Sequence, residues 1–191
     1  MAIETLFSIC LGIGLAASVG FRVFVPLFAL SLAAYFNVLQ LNTAWEWVGE
    51  TPALVTLGVA TLVEICAYFI PYLDNLLDSV AVPLAALAGT TVMLSTVVEL
   101  SPLITWVLAI IAGGGTAVAI AGSTGTTRLA STASTAGIAN PVISILETGT
   151  SVIMSVLSVF LPILALFFTL LILYLLFKIF NRFRKTKRPS V

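Results

Sequence analysis

The sequence contains no histidine, and only two of its 191 residues are cysteine. With Cys10 and Cys66 standing far apart in separate apolar runs, the usual ligands of zinc, haem and iron–sulfur sites are missing. The two cysteines read as small buried hydrophobes rather than as a disulfide or a metal pair, and no cofactor is expected. Charge is scarce as well: 8% of residues are charged, against about 25% in a soluble domain. With 60% hydrophobic residues and a mean hydropathy of +1.19, such a chain cannot keep a surface wet. That excludes a soluble globular class and points to an integral membrane protein, since several runs approach the ~20 apolar residues that span a bilayer. A basic segment ahead of the first apolar run is also lacking. Glu4 stands there instead, so the first run reads as a retained helix rather than a cleaved signal peptide.

The charge that is present is unevenly placed. Six of the eight basic residues, Lys178, Arg182, Arg184, Lys185, Lys187 and Arg188, follow directly on an apolar helix. By the positive-inside rule this tail lies in the cytoplasm, and it suits anionic lipid headgroups; a tail this short is not read as a nucleic-acid binder. Residues 1–180 are expected to form a single integral membrane domain and 181–191 the basic cytoplasmic tail, in a bacterial inner or thylakoid-type membrane.

The fold expected is all-α, a polytopic bundle of five to six spans with broken or re-entrant helices. The first apolar block, Thr5 to Phe36, exceeds one simple span and weakens at Ala16–Arg22. It reads as two segments meeting there, or as one long tilted helix. Trp45, Glu46, Trp47 and Glu50 mark an interfacial loop or short surface helix. Spans follow at about Pro52–Ile70, Ala81–Val98 and Pro102–Ala121, then a short helix at Pro141–Glu147, then a run from Ser151 to Phe180 that Pro162 is expected to kink. Between them stands "GSTGTTRLASTASTAGIANP", Gly122 to Pro141, with eight Ser and Thr. It is an extramembrane loop, a helix of small residues packed on its neighbours, or a re-entrant segment lining a cavity. The last is favoured, because structureless loops beyond ~12–15 residues are uncommon.

Arg22 and Arg128 are the only basic residues before the tail, and each follows a small, helix-loosening stretch, "LAASVGFR" and "AGSTGTTR". Ser18 and Thr124 each stand four residues before their Arg, a faint match that suggests an inverted pseudo-repeat around a midplane site. Five carboxylates, Glu64, Asp74, Asp78, Glu99 and Glu147, lie in or beside apolar spans. Charges there face the bundle interior and pair. Two arginines are too few for five acids, so the excess is expected to bind protons or cations or to lie at the interface. Glu64, Asp74, Asp78 and Glu147 are the candidate coupling residues. Arg22, Arg128, Ser18, Thr124, Thr127 and Asn140 are the candidates for holding an anionic group, the last four through helix-terminal donors.

"EICAYFIPYLDNLLDSVAVPLAALAG" (Glu64 to Gly89), "TTRLASTASTAGIANPVISILE" (Thr126 to Glu147) and "AASVGFRVFVPL" resemble the bacterial membrane family catalogued as domain of unknown function 4126. The resemblance covers most of the chain up to about Glu147 and implies a small polytopic membrane protein, with no particular activity. "VGFRVFVPL" is similar to the Gly-x-Arg-x-Phe-x-Pro stretch of DedA-type membrane proteins, which implies movement of a lipid headgroup or other anion past Arg22.

Three functions are thus open. The first is a transporter or lipid-scramblase-like protein for a small anionic or lipid-headgroup substrate. The second is a non-catalytic structural or lipid- or pigment-binding subunit, alone as a homo-oligomer or within a larger membrane complex, for which "LAALAG" and "IIAGGG" supply close-packing faces. The third, a membrane enzyme using "DNLLD" with Mg²⁺, lacks a second acidic motif and a catalytic base, and the chain is not expected to be an enzyme.

Overall fold

A computed structural model describes residues 2–98 and 100–186. Glu99 and residues 187–191, and so part of the basic tail, lie outside them. The helices are α1 (Ala2–Val19), α2 (Phe24–Tyr35), a 3₁₀ helix (Thr43–Gly49), α3 (Thr51–Ala67), α4 (Pro71–Thr96), α5 (Pro102–Leu108), a π-helical turn (Ala109–Gly114), α6 (Gly115–Thr135), α7 (Asn140–Phe160) and α8 (Pro162–Thr186). No strand occurs among the described residues. The all-α bundle is thus borne out.

Among the described residues, four helices are long and apolar enough to cross a membrane: Tyr72–Thr96, Pro102–Thr135, Asn140–Phe160 and Pro162–Arg182. The 3₁₀ helix and α3, bent by 64° from one another, make a fifth if taken as one broken span, while α1 and α2 are shorter apolar helices. The outer surface is that of a membrane protein, with Leu103, Ile111, Phe160 and Phe167 exposed.

α1 is the axis of the bundle. Leu11, Leu15, Ala16, Ala17, Ser18 and Val19 are all buried, against α4, α7, α8 and α6. It ends at Gly20, where a Cβ would stand 2.9 Å from the Ala117 carbonyl oxygen of α6. The first apolar block is therefore two helices, with Arg22 in the break between them. Pro26 is accommodated in the first turn of α2, where no intrahelical N–H is required.

Three expectations are corrected. The stretch from Gly122 is regular helix as far as Thr135 and not unwound. Most of its hydroxyls fold back on carbonyls four residues earlier, such as Ser123 to Ala119 at 2.9 Å, Thr126 to Gly122 at 2.7 Å and Thr135 to Ser131 at 2.8 Å, which satisfies these without water. Only then does the chain turn, with Ala136 and Gly137 at positive φ. Secondly, the Pro141–Glu147 helix is the start of a 21-residue helix that runs to Phe160. Pro162 does not kink a helix from Ser151 to Phe180; it opens α8 after Leu161 leaves helical geometry. Thirdly, the acidic Asp74–Asp78 segment and the Ala81–Val98 span are one helix, α4, that runs through Pro83. The surface helix expected at the tryptophans is the 3₁₀ helix, in which Trp45 and Trp47 stack with ring centres 6.1 Å apart. Cys10 is buried and Cys66 exposed.

α4 and the π-helical turn cross at their glycines. A Cβ on Gly89 would meet the Ala117 Cβ at 2.6 Å and the Gly113 carbonyl oxygen at 2.8 Å, whereas one on Gly122 would meet nothing within 4 Å. Gly89→Val is expected to lower stability by about 1–3 kcal/mol through overpacking. Gly122→Ala is expected to raise it by about 0.5–1 kcal/mol by removing helix-interior glycine. Unfolding midpoints in mixed micelles check both.

Candidate polar site in the bundle interior

Four helices and one helix break carry charged side chains to a single place. Arg22 comes from the α1–α2 break, Glu64 from the last turns of α3, Asp74 and Asp78 from the first two turns of α4, Arg128 from the middle of α6 and Glu147 from the second turn of α7. Arg22, Glu64, Asp74, Arg128 and Glu147 are each 6% exposed or less. Asp78 is the more open carboxylate, its side chain 23% exposed.

Glu147 is the hub. Its Oε2 accepts from Nε of Arg128 at 3.1 Å and from Nη2 of the same guanidinium, and it lies 3.4 Å from Nη1 of Arg22. Arg128 also donates from Nη1 to Oδ1 of Asp74, and its Nε stands 3.7 Å from Oδ1 of Asp78. Nη2 of Arg22 donates to the Ser144 hydroxyl at 2.6 Å and carbonyl at 3.1 Å, and its Nε to the Thr148 hydroxyl at 2.9 Å. Both guanidinium carbons lie by the Tyr68 ring, at 3.6 Å for Arg22 and 4.5 Å for Arg128 from its centre, a cation–π arrangement that desolvation strengthens. Glu64 accepts from the backbone N–H of Val23 at 2.8 Å and Phe24 at 3.0 Å. It thereby caps α2, whose own N-cap residue supplies no side chain for this.

The candidates are not all equal in this geometry. Asn140 belongs to the cluster: its Nδ2 donates to Oδ2 of Asp74 at 3.2 Å and to the Thr132 hydroxyl at 3.1 Å. Thr124 lines the small cavity beside the cluster but spends its hydroxyl on the Ala121 carbonyl. Thr127 is exposed and bonds the Ser123 carbonyl. Ser18 sits one turn away from Arg22, in a buried group with Ser151 and Ser155 at 2.9 and 2.7 Å. The two arginines also differ in setting, since Arg22 follows a helix end and Arg128 lies inside a helix. Their guanidiniums converge from different backbone settings.

Tyr68, Ser144, Thr148 and Thr132 are site residues that sequence reasoning missed. A signal existed for Ser144. Asn140, Ser144, Glu147, Ser151, Ser155 and Ser158 are the buried face of α7, and their steps of three and four mark one helix face. Tyr68 carried no such signal, being placed by the turn after α3.

The cavity walled by Arg22, Glu64, Tyr68, Asp78, Arg128 and Glu147 leaves about 20 Å³ for water-molecule centres, room for about one water. Among the described residues no group of three or more Asp, Glu or Cys side chains is set to hold a metal ion, because the carboxylates face guanidinium groups.

Residues 9–182 match the family described as domain of unknown function (DUF4126), and the chain belongs to it. No match is found among curated proteins or among solved structures. Together with the helices this makes it a multi-pass membrane protein of that family.

Arg128 pairs with three carboxylates, Asp74, Asp78 and Glu147, so its loss leaves buried charge without a partner. Arg128→Gln is expected to cost about 3–5 kcal/mol. Thr127→Ala, on the exposed side of the same helix, is expected to stay within about 0.5 kcal/mol. Denaturant unfolding in micelles separates the two.

Proposed function

We propose that the protein is a membrane transporter or scramblase-like protein whose polar site is the Arg22–Arg128 cluster, and that an anion or lipid headgroup enters it together with a proton taken up by a carboxylate. The observation that carries this reading is the pairing itself: four carboxylates and two guanidiniums share one buried site. Fully ionised, they hold two negative charges in excess, which is costly away from water. Protons or cations therefore belong to the site's working cycle.

Both arginines are engaged, so an incoming anion must displace a carboxylate. Glu147 is the one carboxylate paired with both. If it takes a proton, one negative charge leaves the site; the anion then brings one in, and the charge of the cluster is unchanged. Coupling of this kind moves one proton with each anionic charge and avoids an uncompensated intermediate. The basic tail would set the orientation, with the C-terminus in the cytoplasm of a bacterial inner or thylakoid-type membrane.

The test is flux into proteoliposomes, with inorganic phosphate as the small anion and a fluorescent phosphatidylglycerol as the lipid. An acid-outside gradient is expected to raise uptake of at least one of them above protein-free vesicles. Glu147→Gln, which fixes that position neutral, is expected to leave uptake insensitive to the gradient. Absence of any protein-dependent flux would overturn the reading in favour of a structural or lipid-binding subunit, which a stable partner in mild detergent would identify.

A further inference from the structure

A second, larger hollow lies between α2, α3 and α4. It is an apolar groove of about 410 Å³ walled by Val59, Ala60, Val63, Leu77, Ala81 and Leu84. Ligand sites of this size are mostly apolar, and this one is lined almost wholly by apolar atoms, with Glu64 and Tyr68 at the end it shares with the ion cluster. The same two residues, with Val23 and Ala81, also wall the cavity at the ion cluster. Val59, Val63 and Leu84 are exposed on the outer surface of the bundle, so the groove runs from the lipid-facing side inward to the charges.

Tyr68 stands at the junction. It is 8% exposed, its ring carries both guanidiniums, and its hydroxyl has no hydrogen-bond partner among the described residues. The groove thus offers burial for an apolar chain, then an unpaired hydroxyl, then guanidinium groups that pair with phosphate by geometry.

We infer that the groove seats one acyl chain of a phosphate-bearing membrane lipid, with its headgroup at Tyr68 on the way to Arg22 and Arg128. This rests on the cluster being the polar site, and it names the substrate as one that enters sideways from the bilayer. A water-borne anion would gain nothing from an apolar wall of this extent. A helix of a second copy would cover the wall but leave the Tyr68 hydroxyl without a partner.

The experiment is native mass spectrometry of the full chain released from micelles, titrated with phosphatidylglycerol, with diacylglycerol of the same chains, and with inorganic phosphate as competitor. Ala60→Trp fills the groove from α3 and Ala81→Trp from α4, so a fold defect in one variant leaves the other. Leu170→Trp, on the exposed face of α8, is the control. Loss of even two buried methylenes corresponds to about tenfold in affinity, and each groove variant is expected to weaken phosphatidylglycerol by at least that, the control by none. Phosphatidylglycerol is expected to outbind diacylglycerol. Equal binding of the two lipids, or wild-type binding by both groove variants, would overturn the inference as contact with annular lipid only. Phosphate uptake that depends on Glu147 but not on the groove would sink the lipid and leave the polar site standing. Groove-dependent lipid binding without any flux would do the reverse.

Discussion

Everything in this bundle is arranged around keeping two guanidinium groups and four carboxylates out of lipid. Taking an ion from water into a low-dielectric interior costs several kcal/mol even after relaxation, and pairing offsets that only when the partners are held in place. Glu147 meets this condition for both arginines at once. Its position on the second turn of α7 fixes that helix against the α1–α2 break and against α6. Asp74 fixes the start of α4 to the same guanidinium. Four stretches distant in sequence are thereby brought to one depth by charge rather than by apolar packing, which in lipid discriminates poorly between helix faces.

The backbone follows from that convergence. α1 has to stop for Arg22 to turn inward, and stopping leaves the first N–H groups of α2 without partners. Glu64 supplies them from α3, so a charged residue in an apolar span is accounted for by a cap as much as by chemistry. Close approach elsewhere depends on small residues: Gly89 against Gly113, and a seam of serines where α7 meets α1. Hydroxyls along that seam bond each other or carbonyls, so the polar face of α7 stays dry.

The sequence showed the cluster's members before the structure placed them, because an acidic or basic residue in an apolar span has few places to go. Arg22, Glu64, Asp74, Asp78, Arg128 and Glu147 were legible on that ground, and Asn140 as a helix-terminal donor. Helix phase was not. Thr124 and Thr127 were expected to be donors at a helix terminus, yet both lie within α6, where Thr127 is exposed and each bonds its own helix. The Ser/Thr-rich stretch was misjudged for a related reason. In water these residues compete with helix formation, whereas in apolar surroundings the backbone must bond internally and the hydroxyls return to it. Proline alone marks a break unevenly: Pro83 lies within α4, whereas Pro162 stands where α7 has ended and α8 begins.

As it stands the cluster is closed, with room for about one water, so any passage needs a part of the wall to give. The least-held element of that wall is α3. Its buried residues, Thr61, Glu64 and Ala67, are confined to its C-terminal half, and it packs chiefly on α2 and the 3₁₀ helix. Segments with few buried contacts open at lower free energy than the core. α3 carries Glu64 and ends at Tyr68, so its displacement would uncap α2 and uncover the guanidiniums in one movement. Access to the charge and release of the cap are then the same event, and the groove beside α3 lies where that event would admit a lipid.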